Sequence, residues 1–231
     1  MKEKEKLFNI KGIIIGLIIF ILFYYSSLLQ LIPIRIFHLN IENISGAQQV
    51  MLSTFSNIIL LLLLVFIFRK DLKKEWTIFK NKFLTNIDSG IKYWLIGLFI
   101  MMVSNIIISF ILKNGQAANE QAVQKMISNL PWLMVINAGI LAPFIEEIVF
   151  RKCFKKAFPH KWVFILTSAI VFGSLHIIPS FTSPLEFLYI IPYGALGGAF
   201  AYMYSKTDTI YTSIAMHMFH NTALTLLSIL L

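Results

Sequence analysis

The 231-residue sequence is 58% hydrophobic and only 13% charged, with a mean hydropathy of +0.77. Soluble domains carry about 25% charged residues, so the composition excludes one and marks a polytopic membrane protein. A single cysteine, Cys153, excludes an internal disulfide framework and makes redox chemistry an unpromising reading. The length accommodates about seven spans of roughly 20 residues and leaves no room for a second soluble domain, which gives one membrane domain over 1–231.

Apolar segments are expected to span at 12–34, 50–68, 91–112, 131–150, 162–178, 184–204 and 209–231, an all-α bundle of about seven helices with six to eight as the range. The first run is too long for a signal-peptide core and no small-residue cleavage site follows it, so a retained span is expected. With the N-terminus inside, every Lys and Arg except Arg35, Lys113 and Lys125 falls in an inner segment. Basic loops resist translocation, so this predicts a cytoplasmic N-terminus and an outer C-terminus. The net charge of +9 is thereby read as topology and contact with anionic lipid. Nucleic acid is not an expected partner. The most polar connection, Lys113 to Asn129, reads as an outer loop or a short surface helix.

A charged side chain at the centre of a membrane helix costs about 2.5–3.5 kcal/mol on insertion scales and therefore marks function. The stretch PFIEEIVFRK, from Pro143 to Lys152, places Glu146, Glu147 and Arg151 inside an apolar segment. Pro143 removes a backbone hydrogen bond just before the acids, where the helix is expected to open or kink. Glu147 and Arg151 are four apart with the acid on the N-terminal side, the favourable order for an ion pair. Glu146 points about 100° away and is left to seek another partner, as a desolvated carboxylate suited to general-base chemistry.

Two later segments add histidines. VFGSLHI sets Phe172 and His176 on one face, with Gly173 thinning the helix for a neighbour, and HMFHN sets His217 and Asn221 on one face with His220 beside them. Glu146 and His176 reach a common height only if the acidic helix runs past Arg151 to a turn at Pro159 and His160. They then lie about 18 and 22 Å from the turn at 1.5 Å per residue. The GALGGA stretch, with Gly194 and Gly198, reads as close helix packing of the sixth span against these helices.

EEIVFR, FGSLH and HMFHN, in this order on successive late segments, resemble the EExxxR, FxxxH and HxxxN motifs of the CPBP family. That family contains the type II CAAX prenyl endopeptidases and the bacteriocin-processing or self-immunity proteins, also called Abi proteins. The resemblance covers about 130–225, which would be the catalytic core; the preceding spans are matched only in general character. It implies an intramembrane peptidase in which Glu146 and His176 activate water, His217 and Asn221 stabilise the oxyanion, and Glu147 and Arg151 support them. His220 stands where the motif requires no histidine.

Such chemistry needs no cofactor, since a carboxylate-activated water requires no ion, and no HExxH is present. A zinc-dependent version is the competing account, because one acid and two or three histidines can hold zinc. The expected partners are a membrane-associated peptide or protein substrate and the bilayer, with the oligomeric state left open. The short, Lys-, Ile- and Phe-rich chain has the look of a low-GC bacterial protein of the cytoplasmic membrane. Peptide or membrane-protein processing is preferred to prenyl-protein maturation. A non-catalytic immunity or scaffold protein of the same fold, or less readily a small-molecule transporter, stands as the alternative.

Overall fold

The computed structural model describes residues 6–113, 117–179 and 183–231. Lys2 and Lys4 of the topology count, and residues 114–116 of the polar connection, lie outside the described residues. All secondary structure among the described residues is helical. In chain order the helices are α1 (Ile10–Tyr24), α2 (Leu31–Ile36), α3 (Gly46–Asn81), α4 (Phe83–Ile111), α5 (Ala118–Asn129), α6 (Pro131–Ala157), α7 (Lys161–Leu175), α8 (Ile190–Thr207) and α9 (Ile210–Leu230). Counting α1 with α2 as one bent unit and setting aside the short α5, seven segments occupy the places of the seven expected spans. Helices α3, α4 and α6 are each long and apolar enough to cross a membrane, and the α1–α2 pair is a fourth candidate. The chain is a polytopic helical membrane bundle.

The first expected span, 12–34, is not one helix. It breaks at Tyr25, passes through a 3-10 segment at Ser26–Gln30 and resumes as α2 with a bend of 45°. The Ser26-Ser27 pair, whose hydroxyls compete for backbone groups, and Pro33, which has no N–H, weaken the continuous ladder there. The basic stretch after 68, read as a connection, is helical instead. A capping box between Ser45 and Gln48 starts α3, and neither Gly nor Pro occurs between Ala47 and Ser89 to stop it. The only interruption is at Lys82, so α3 and α4 extend well beyond the apolar cores expected for them.

Helix α6 continues past Arg151 to Ala157 before turning at Pro159, the continuity that the heights of Glu146 and His176 demand. It begins with Pro131 at its first helical position, where the missing N–H costs nothing. It is not a uniform α-helix: Asn137–Leu141 and Glu147–Cys153 are π-helical, with Pro143 in the α-helical turn between them. Single π turns inside α-helices are frequent at functional sites. The seventh helix ends at Leu175, three residues short of the expected boundary, and leaves His176 at its C-cap. The expected sixth span begins as a 3-10 turn at Pro184–Tyr189 before α8 proper.

Small residues set the helix spacing. A Cβ on Gly12 would collide with the Lys156 carbonyl, and one on Gly16 would lie 3.8 Å from Cys153 Cβ. The GIIIG stretch therefore docks α1 against the end of α6, the close approach that small residues four apart permit. On α8, Gly194 and Gly198 face Ala169 of α7, as read from their spacing. Gly173 of α7 in turn admits the Ile190 carbonyl of α8, since a Cβ there would come within 2.7 Å of it.

One end of the bundle gathers the basic segments. Asn9 N–H donates to the Ala157 carbonyl at 2.7 Å, Lys156 pairs with Asp71, and Lys155 pairs with Asp208 at 3.1 Å. The start of α1, the far half of α3, the end of α6 and the α8–α9 turn thus share a face. A buried polar node lies beneath it. Glu75 accepts from Lys152 Nζ at 2.6 Å, from the Tyr204 hydroxyl at 2.9 Å and from Ile210 N–H at 2.8 Å, while Thr209 donates to the Glu75 carbonyl at 3.0 Å. Lys152, counted in sequence among the free basic residues of an inner loop, is 1% exposed and belongs to this node.

Candidate active site

The site lies where α6, α7 and α9 meet. Glu147 and Arg151 are both completely buried, and Arg151 Nε lies 3.4 Å from Glu147 Oε1. The expected i,i+4 pair forms within the π-helical turn. The Arg151 guanidinium sits 4.3 Å above the Phe172 ring and 5.7 Å from that of Phe200, so two aromatic faces help hold a cation inside the bundle. Glu147 Oε1 also accepts from His217 Nδ1 at 2.9 Å.

Glu146, next in sequence, has a different environment. Its side chain retains 17% exposure, and its Oε2 lies 3.7 Å from His217 Nε2. Separating the two acids by helix geometry is thus matched by the structure: one is enclosed and paired, the other is reachable. The ring nearest to Glu146 by this contact is that of His217, on α9, rather than that of His176.

His176 joins the group through Phe172. Its ring lies 4.4 Å from Phe172, which is itself 5.9 Å from His217, and it stacks on Tyr193 of α8 at 4.6 Å and 24°. His176 Nδ1 is 2.8 Å from the Phe172 carbonyl. A carbonyl can only accept, so that nitrogen donates and Nε2 keeps its lone pair. Phe172, singled out only as sharing a face with His176, proves to be the common wall of Arg151, His176 and His217.

Asn221 faces α6 as well, one turn beyond His217. Its amide Nδ2 donates to the Ala138 carbonyl at 3.1 Å, and the Thr222 hydroxyl donates to the Gly139 carbonyl at 3.3 Å. Both acceptors belong to the first π turn, where carbonyls fall out of the regular i+4 ladder. Asn137 in the same turn is tied to α3, accepting from Asn57 Nδ2 at 2.7 Å and donating to Ser53 Oγ at 3.2 Å. His220 points elsewhere: its Nδ1 accepts from Trp94 Nε1 of α4 at 3.4 Å, which gives the extra histidine a packing partner outside the site.

The structure therefore brings all six sequence-selected residues to one region in two layers. Glu147, Arg151 and His217 form an enclosed layer, and Glu146, His176 and Asn221 are partly exposed beside it. Sequence reasoning missed Glu75, Lys152, Ser53, Asn57 and the Gly12–Gly16 contact. The signal for Glu75 was present. Phe68, Leu72, Glu75 and Phe79 fall on one helical stripe, all buried, so an acid on that stripe had to face the interior.

An apolar helical bundle enclosing a carboxylate pair, an arginine and two histidines is a membrane protein with the groups of an acid–base catalyst. Residues 128–223, which contain all three motifs, match the family model described as type II CAAX prenyl endopeptidase Rce1-like. The likeness to the CPBP family read from the motifs holds over this segment. The chain is 33% identical over 110 residues to the "Putative membrane peptidase YdiL" of Bacillus subtilis (strain 168), covering 46% of this chain and 41% of that protein. It is 32% identical over 111 residues to the UPF0177 protein YaiF of Lactococcus lactis subsp. lactis (strain IL1403), covering 47% of each. A second protein of that strain, UPF0177 protein YbdI, is 36% identical over 59 residues, covering 25% of this chain and 33% of its own length. The chain spans less than half the length of the curated relatives it matches. No solved structure matches it.

Proposed function

We propose that the protein is an intramembrane endopeptidase that hydrolyses a peptide bond in a membrane-associated peptide or protein, in a bacterial cytoplasmic membrane with the basic face of the bundle inside. The observation that carries this reading is the unequal placement of two adjacent acids, Glu147 enclosed and paired while Glu146 stays reachable 3.7 Å from an imidazole nitrogen. The family model and the name of the Bacillus subtilis relative support the same class.

In this reading Glu146 takes a proton from water while the water oxygen attacks the peptide carbonyl, and the proton then passes to the leaving amine as the C–N bond breaks. His176 Nε2 orients the water. His217 Nε2, 3.7 Å from Glu146, takes that proton from it on the way to the leaving amine. As an N–H it faces the developing oxyanion together with the second N–H of the Asn221 amide, where one preorganised donor is worth about 10²–10³ in rate. No step calls for a metal ion.

The test is purified protein in lipid nanodiscs, incubated with membrane-anchored candidate peptides and compared with Glu146→Ala and His176→Ala. Both variants are expected to lose cleavage. Cleavage at wild-type levels in both would remove Glu146 and His176 from the chemistry, and protection at wild-type levels in both without cleavage would establish the non-catalytic scaffold or immunity reading instead.

A further inference from the structure

The two adjacent acids meet the same imidazole from opposite sides. His217 Nδ1 lies 2.9 Å from Glu147 Oε1, and His217 Nε2 lies 3.7 Å from Glu146 Oε2. A carboxylate facing Arg151 is an acceptor only, so Nδ1 carries the hydrogen and points it at Glu147. The ring is stacked on Phe200 at 4.6 Å and 22°, and Phe172 meets it nearly edge-on at 76°. With one face stacked on Phe200, Phe172 packed against the ring and one nitrogen tethered, the direction of the remaining nitrogen is held.

We propose that Glu147 is the positioning residue of the site: through its hydrogen bond to Nδ1 it fixes the tautomer and orientation of His217, so that Nε2 is presented to Glu146 and to the reacting carbonyl. Arg151 acts one step further back, holding the Glu147 carboxylate in place at 3.4 Å. The diacid is thus a division of labour, in which the second acid works only through the histidine. Orienting acids of this kind are a general device, because a misassigned tautomer silences an otherwise intact site. The kinetic part of this inference rests on the proposed hydrolysis; the tautomer does not.

Two readouts test it. The first is the ¹⁵N spectrum of histidine-labelled full-length protein in nanodiscs, with His217 assigned by its loss in His217→Gln. Wild type is expected to show a protonated Nδ1, and Glu147→Gln to shift that resonance. An unprotonated Nδ1 in wild type overturns the proposal. The second is kinetic. Glu147→Gln keeps the shape but offers an amide, and kcat is expected to fall about 10²–10⁴-fold with KM held within about threefold. A fall of less than threefold overturns it.

The double variant Glu147→Gln/Arg151→Met separates positioning from charge balance. Were Glu147 present only to neutralise Arg151, removing both charges would restore kcat to within about threefold of wild type, and that result overturns the proposal. Continued slow turnover in a folded double variant supports it. Wild type without peptidase activity but with the Glu147-dependent Nδ1 signal would count against hydrolysis while supporting the positioning role.

Discussion

Lys152 Nζ donates to Glu75 Oε1 at 2.6 Å across 77 positions of sequence, joining the helix that carries the acids to the far half of α3. The same carboxylate accepts from Tyr204 of α8 and caps the start of α9 through Ile210 N–H, so one acid fixes the relative position of four helices. Removing one partner of a buried pair leaves the other charge uncompensated, at a cost of about 3–5 kcal/mol. Glu75→Ala is therefore expected to lower the midpoint of thermal unfolding in detergent markedly, and Glu75→Ala/Lys152→Met to recover much of the loss. Unchanged midpoints in both variants would contradict the node.

The contact of α1 with α6 is accessible to chemistry. A Cβ at position 16 would stand 3.8 Å from Cys153 Cβ, within the 3.5–4.5 Å that a disulfide spans. Gly16→Cys is expected to form an internal disulfide with the native Cys153 under mild oxidation, read as protection of both thiols from maleimide and its reversal by reductant. Free thiols after oxidation would mean that α1 does not dock there.

His220 and His217 are three positions apart and are expected to respond oppositely. The Trp94–His220 hydrogen bond is a packing contact worth about 1 kcal/mol. His220→Leu should lower thermal stability modestly and leave cleavage within about threefold, whereas His217→Leu should abolish it. Equal loss in both, measured on folded protein, would move His220 into the site.

Metal dependence can be settled directly. A carboxylate-activated water needs no ion, so cleavage is expected to survive chelators that strip zinc. Loss of activity on chelation, restored by added zinc, would replace the water-activation scheme with a zinc-dependent one.

Much of this arrangement is legible in the sequence because its cost is legible. Glu146, Glu147, Arg151, His176, His217 and Asn221 stand out as polar groups in apolar segments, and their spacing fixes which faces they share. The extent of α6 follows from requiring those groups to meet. What the residues cannot disclose is pairing across helices. His217, rather than His176, lies against Glu146 because α9 packs along α6 from its first π turn to its second, and no local pattern encodes that packing. The helical continuation of α3 through Lys70–Lys80 was hidden for a different reason, since charged helix formers read as a loop when hydropathy alone defines the element.

The two π turns of α6 make its register unusually consequential. Each holds a residue more per turn than the α-helix around it. Deleting one residue from Asn137–Leu141 would leave a continuous and locally more regular helix. The helix beyond it would keep nearly its present facing, because a π turn takes up its extra residue within itself, but the Ala138 and Gly139 carbonyls that receive Asn221 and Thr222 would return to the regular ladder. A change invisible to hydropathy and harmless to helicity would thus unfasten α9 from α6, so the length of this segment, not only its residue types, is part of the functional specification.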